Sequence, residues 1–62
     1  LDLNRASAEE LAVVPGVGPK LAKAIVDARA RLGGFKSWDD VDRVAGVGDA
    51  KLETLKATAE IR

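Results

Sequence analysis

Residues 7–18 and 37–48 of this 62-residue chain follow one pattern, and the two segments align without a gap at a spacing of thirty residues. Each segment opens with a serine, continues through two adjacent acidic residues and two aliphatic residues three positions apart, and closes on Gly-Val-Gly. A repeat of fixed period in so short a chain indicates two copies of one supersecondary unit packed against each other. We therefore predict a single domain over 1–62, with a first copy over 7–32 and a second over 37–62.

The segment before each Gly-Val-Gly is predicted to be a short helix of about two turns. Ser7 and Glu10 have the spacing of a capping box, and Ser37 with Asp40 forms a weaker counterpart because aspartate is shorter than glutamate. Apolar side chains recur at three-residue spacing, which predicts one buried stripe on each helix. The stripes consist of Ala8, Leu11 and Val14 in the first copy and of Trp38, Val41 and Val44 in the second.

A longer helix is predicted after each Gly-Val-Gly. Pro19 suits the first position of one helix, which ends at the glycine pair 33–34, and Asp49 begins the other. The predicted buried faces are Leu21, Ala24, Ile25, Ala28 and Leu32 in the first copy, and Leu52, Leu55, Ala59 and Ile61 in the second. Leu1 and Leu3 are expected to pack onto the bundle, with Phe35 and Trp38 covering the core between the copies. Because no segment alternates like a strand, the predicted fold is all-α, a compact bundle of four to five short helices.

Composition excludes several classes of function. The chain has neither Cys nor His, so disulfides, Cys-ligated zinc and a histidine base are absent. The carboxylate pairs Glu9–Glu10 and Asp39–Asp40 stand at helix starts, where they favour the helix dipole. No nucleophile is patterned with a base, so we expect no catalytic residue, no metal site and no enzymatic activity.

The charge balance limits how the chain could bind a nucleic acid. Ten basic residues face ten acidic ones, which is not the basic footprint typical of nucleic-acid-binding domains. Any such contact must therefore rest on local placement of charge. Several of the basic side chains are expected to form a solvated face, namely Arg29, Arg31, Lys36, Arg43 and Lys56.

The Gly-Val-Gly turns are the most suggestive local feature. Two glycines around Val17 permit positive φ and close approach of another molecule, and Val17 itself is expected to point inward. The following helix begins with unpaired N–H groups at its positive dipole end, next to Lys20 and Lys23, which suits an anion. One such turn taken alone is more typical of an ordinary turn between antiparallel helices, and it matches neither a dinucleotide fingerprint nor a Walker loop. Two turns related by an approximate twofold would present two anion sites on one face, as both backbones of a duplex require.

Residues 11–25, LAVVPGVGPKLAKAI, resemble a helix-hairpin-helix motif of the kind L-x-x-L-P-G-I-G-x-x-x-A-x-x-I. Residues 3–11 and 34–41 resemble the ComEA family, so the resemblance covers nearly the whole chain. It implies a tandem helix-hairpin-helix fold that is SAM-domain-like, with pseudo-twofold symmetry. It also implies sequence-independent binding of double-stranded DNA, as a receptor for DNA uptake in competence and natural transformation.

The resemblance assigns roles to particular residues. The amides that contact phosphate would be those of Gly16, Val17 and Gly18 and of Gly46, Val47 and Gly48, with Lys20 and Lys23 assisting in the first copy and Lys51 in the second. Helix-hairpin-helix loops also hold a monovalent cation on their carbonyls, so the resemblance allows one at a hairpin, with no other cofactor and no small-molecule substrate.

The resemblance also implies a location. No run of the sequence is long enough to span a membrane, no signal peptide is visible, and the chain begins at Leu1 rather than Met, so we expect a piece of a longer protein. Members of the ComEA family are anchored or exported, which implies the periplasm or the extracellular face of the membrane.

The second copy departs from the motif. Ala45 stands where the first copy has Pro15, and Asp49, which is expected to cap its helix and repel phosphate, stands where it has Pro19. Residues 32–62 carry five basic and six acidic side chains. The first hairpin is therefore expected to be the stronger DNA contact. Two alternatives stand beside DNA uptake: a protein-docking module of the same fold, as in a photosystem extrinsic subunit, and an accessory DNA-binding domain cut from a repair enzyme or helicase.

Overall fold

Four helices make up the domain in the computed structural model, which describes residues 1–62. They are α1 (Ala8–Ala12), α2 (Gly18–Leu32), α3 (Trp38–Asp42) and α4 (Asp49–Thr58). The order short, long, short, long follows the sequence repeat, and the predicted all-α fold is confirmed. The two short helices have five residues each, fewer than the two turns expected. The radius of gyration is 9.9 Å, close to the ~10.6 Å of a compact chain of this length. None of the helices combines the length and the apolar character needed to cross a bilayer.

A single apolar core joins the two copies. Its fully buried members include Leu11 and Ile25 from the first copy and Val41 and Leu55 from the second, and no polar side chain is buried with them. Ala22, which the predicted face of α2 omitted, is also fully buried. The buried positions were otherwise predicted largely correctly, because three- and four-residue spacing of aliphatic residues is a direct property of a packed helix face.

The last turn of α2 differs from the prediction. Leu32 was expected in the core but is 48% exposed, because the core ends on this helix at Ala28, one turn earlier. The helix then stops at Gly33, whose φ of 72° is the left-handed conformation that commonly ends a helix.

The two short helices are capped differently. Ser7 and Glu10 form the predicted capping box: the Glu10 amide donates to Ser7 Oγ at 3.1 Å, and the Ser7 amide donates to Glu10 Oε1 at 2.9 Å. The weaker box predicted for the second copy is wrong, because the Ser37 side chain caps nothing. Asp40 instead accepts from the Lys36 amide at 2.9 Å, one residue before the cap. The serine repeats in sequence, while its capping hydrogen bond does not.

The two ends of the chain lie side by side. The Leu3 amide donates to the Glu60 carbonyl at 2.9 Å, and the Glu60 amide donates to the Leu1 carbonyl at 2.8 Å. Leu3 is fully buried as predicted, but the Leu1 side chain is 41% exposed. The prediction for Leu1 is wrong, because this residue contributes its carbonyl to the pairing rather than its side chain to the core.

Two polar side chains fasten the amino-terminal segment to the rest of the domain. Asn4 Oδ1 accepts from the Phe35 amide at 2.6 Å, and Asn4 Nδ2 donates to the Phe35 carbonyl at 2.9 Å. Arg29 Nη1 donates to the carbonyls of Leu3 at 2.9 Å and Ala6 at 2.6 Å. Arg29 was expected on a solvated face, and this expectation is wrong. Its guanidinium donates to two backbone carbonyls that accept no hydrogen bond from a backbone amide.

Candidate nucleic-acid interface

Both Gly-Val-Gly turns are anchored in the same way. Val17 and Val47 are only 7% and 8% exposed and belong to the core, as expected for side chains that point inward. The Val17 amide donates to the Val14 carbonyl at 3.0 Å, and the Val47 amide donates to the Val44 carbonyl at 3.1 Å. Each valine therefore closes its turn twice, once by its side chain and once by its backbone.

The glycines of the turns keep free donors. The amides of Gly16, Gly18, Gly46 and Gly48 donate to no acceptor in the protein, whereas the two valine amides are engaged within the turns. Of the three amides predicted to contact phosphate at each hairpin, the two glycine amides are thus available as the structure stands. The valines serve as anchors between them.

The glycines at the helix starts differ in backbone conformation. Gly18 has φ 70°, which is left-handed, whereas Gly48 has φ −101° and ψ −176°, which is extended. α2 begins at Gly18, so Pro19 is its second residue and not the first as predicted, although it still lies in the first turn, where its missing N–H leaves no helical hydrogen bond unmade. In the second copy Gly48 is the N-cap of α4 and Asp49 is its first residue. The expectation that Asp49 caps the helix is therefore wrong.

Two of the three lysines predicted to contact phosphate, Lys20 and Lys51, lie at the first hairpin. Lys20 and Lys23 are exposed on the first turns of α2, and neither forms an ion pair. Lys51 begins in the second copy but reaches across the domain, since a Cβ placed on Gly16 would lie 3.3 Å from Lys51 Nζ. The resemblance assigns Lys51 to the second copy, and this assignment does not include the contact of its ammonium with the first hairpin.

A groove of about 510 Å³ runs between the two hairpins. Its walls include Lys20 and Leu21 from the first copy and Gly46 and Lys51 from the second, and no acidic side chain lines it. The groove therefore combines two ammonium groups with an apolar floor. Such a surface can hold an anionic backbone close to the protein while offering few groups that could distinguish one base from another.

Residues 1–59 match the family model described as the helix-hairpin-helix motif. The chain belongs to the helix-hairpin-helix family. It is 34% identical over 62 residues to ComE operon protein 1 of Bacillus subtilis, covering 100% of this chain and 30% of that protein. This match over the whole chain confirms the resemblance to the ComEA family that the sequence indicated.

Other relatives have different names and greater lengths. The chain is 46% identical over 56 residues to the human endonuclease/exonuclease/phosphatase family domain-containing protein 1, covering 90% of this chain and 10% of that protein. It is 38% identical over 60 residues to a deoxyribonuclease of Thioalkalivibrio, covering 97% of this chain and 16% of that protein. The chain thus spans from 10% to 30% of the length of these relatives.

Proposed function

We propose that this domain binds double-stranded DNA through the sugar-phosphate backbone, without reading its sequence. The observation that carries the proposal is the chemistry gathered at the first hairpin: the unpaired amides of Gly16 and Gly18 beside the ammonium groups of Lys20 and Lys51. Backbone amides at a helix start and lysine side chains are both common phosphate ligands.

Local charge supports the proposal despite a net charge of zero. The groove between the hairpins has two lysines and no carboxylate, so its own charge is positive even though the whole domain is neutral. The acidic residue nearest to a hairpin in sequence is Asp49, which follows the second one directly. The first hairpin is accordingly proposed as the main contact, with the amides and side chains named above, Lys23 included.

The relatives suggest two biological settings for the same binding. Similarity to ComE operon protein 1 supports a DNA receptor that acts in uptake, as part of a protein anchored at the membrane or exported to the periplasmic or extracellular face. Similarity to a deoxyribonuclease and to an endonuclease/exonuclease/phosphatase domain protein supports an accessory DNA-binding domain of a nuclease. In both settings this domain binds DNA and takes no part in catalysis.

A monovalent cation at a hairpin belongs to the same proposal. The carbonyls of Pro15 and Gly16 accept no backbone hydrogen bond, and such oxygens are suitable ligands for a hard cation. Thermal unfolding in potassium chloride and in tetramethylammonium chloride, at equal ionic strength, tests this proposal. We expect a higher Tm in potassium, and equal Tm values would contradict the cation.

Salt-dependent binding tests the function itself. We expect fluorescence anisotropy with two labelled 20-base-pair duplexes of unrelated sequence to give Kd values within about twofold of each other, since phosphate contacts carry no sequence information. Three lysines on phosphates predict that log K falls with log salt at a slope near −3, from about −0.9 for each contact. A flat salt dependence would contradict the proposal. Absence of binding by a domain folded by circular dichroism would instead favour the protein-docking alternative.

A further inference from the structure

The two copies exchange a side chain across the domain. Leu21 and Lys51 occupy equivalent positions of the repeat, thirty residues apart. A Cβ on Gly16 would lie 3.3 Å from Lys51 Nζ, and a Cβ on Gly46 would lie 3.2 Å from Leu21 Cδ1. In each copy, the side chain of the third residue after Gly-Val-Gly thus lies against the hairpin of the other copy. An approximate twofold axis between the copies would require this arrangement.

The exchanged side chains give the two hairpins opposite chemistry. The first hairpin is faced by the Lys51 ammonium, while the second is faced by a Leu21 methyl group. The remaining positions increase this difference, because the residues of the second copy equivalent to Lys20 and Lys23 are Ala50 and Glu53. Positions 20, 23 and 51 provide lysines to the first copy and its hairpin. The equivalent positions 50, 53 and 21 provide no basic side chain to the second hairpin.

We propose that the residue at the exchanged position decides which hairpin holds a phosphate. Lys51 is then a phosphate ligand of the first hairpin, acting from the opposite copy. The second hairpin holds no phosphate and serves to position the start of α4, from which Lys51 extends. This inference rests on the proposed DNA binding and deepens it by assigning the grip to one hairpin.

The magnitude of the effect follows from counterion release. Each phosphate neutralised by a lysine contributes a slope of about −0.9 in log K against log salt, so a contact whose contribution vanishes at 1 M salt strengthens binding about eightfold at 0.1 M salt. Removing the Lys51 ammonium should therefore weaken duplex binding about eightfold and make the slope shallower by about one. A lysine at position 21 should strengthen duplex binding and make the slope steeper, because it places an ammonium at the second hairpin.

The experiment exchanges the two side chains in the intact 62-residue domain and measures binding to a mixed-sequence 20-base-pair duplex by anisotropy at several salt concentrations. The variants are Lys51→Leu, Leu21→Lys and the double exchange. Lys56→Leu is the matched control, because it makes the same charge change on the same helix, about 140° around the axis from Lys51. Leu21 is a core residue that is only 9% exposed, but it also lines the groove, so a lysine there would have to direct its ammonium outward along the groove.

We expect Lys51→Leu to bind about eightfold more weakly, Lys56→Leu to stay within about twofold of the wild type, and the double exchange to regain most of the lost affinity. Equal binding by the Lys51 and Lys56 variants, with a wild type that binds, would overturn the inference and leave the proposed function intact. A wild type that does not bind duplex would overturn the proposed function. If Leu21→Lys fails to fold by circular dichroism, the comparison of Lys51→Leu with Lys56→Leu decides alone.

Discussion

Gly18 and Gly48 occupy equivalent positions of the repeat but differ in backbone conformation, and replacing each with serine should change stability in opposite directions. Gly18 has φ 70°, a conformation in which a Cβ is strained. Gly48 is extended and is the N-cap of α4, which has no side-chain cap. A Cβ added at either glycine would meet no heavy atom within 4 Å outside its chain neighbours, so steric crowding contributes to neither change.

The size of each effect can be worked from these conformations. For Gly18→Ser we expect a loss of about 1 kcal/mol, because the left-handed penalty of roughly 1–2 kcal/mol exceeds the gain from a stiffer unfolded chain. For Gly48→Ser we expect a gain of about 1 kcal/mol, since serine caps a helix better than glycine by a few tenths of a kcal/mol and restricts the unfolded chain by a further ~0.4–1 kcal/mol.

The two variants should thus differ by about 2 kcal/mol in the free energy of unfolding, which corresponds to roughly 8–16 °C in Tm for a domain of this size. Thermal and urea unfolding followed by circular dichroism at 222 nm measure the difference. A third variant isolates the backbone term: Gly18→D-Ala, accessible by chemical synthesis, should be tolerated because a D-residue favours positive φ. Equal effects of serine at the two positions, or a D-alanine as costly as L-serine, would refute the reasoning.

Two further predictions concern the polar groups that hold the fold. Arg29→Met should lower the free energy of unfolding by about 2 kcal/mol, because it removes charged hydrogen bonds to two backbone carbonyls. Replacing the exposed Arg31 with methionine should change the free energy of unfolding by less than ~0.5 kcal/mol. Urea unfolding measures both variants, and equal losses would contradict the role of Arg29. Ser7→Ala should lower the free energy of unfolding by about 1 kcal/mol, because it breaks the capping box. Ser37→Ala should lower it much less, because the Ser37 side chain caps nothing. Similar shifts in Tm for the two variants would contradict this difference between the caps.

The sequence was sufficient to predict the parts of the fold that depend on local pattern. The thirty-residue repeat indicated two copies, and the capping box at Ser7 and the inward-facing Val17 followed from residue type and spacing. These features arise within a few residues of the chain, so their cause is visible in the sequence. The helical spacing likewise predicted most of the core.

The features that the sequence could not supply depend on how the two copies pack. The family resemblance assigned Lys51 to the second copy, and only the packed domain brings its ammonium to Gly16. Arg29 was treated as solvated because its acceptors are carbonyls more than twenty residues away in the chain. The repeat does relate the two contacts, because Leu21 and Lys51 are equivalent positions thirty residues apart. If one of these side chains reaches the hairpin of the other copy, the approximate twofold predicts that the second one does so as well.

The most direct test of the central claim is a titration of the ¹⁵N-labelled domain with a 12-base-pair duplex, followed by ¹H–¹⁵N correlation spectra. Hydrogen bonding of phosphate to the first hairpin predicts that the Gly16 and Gly18 amides shift most, with smaller shifts at Gly46 and Gly48. Largest shifts at the opposite end of α2, around residues 33–34, or no shift at the Gly16 and Gly18 amides under saturating duplex, would contradict the account.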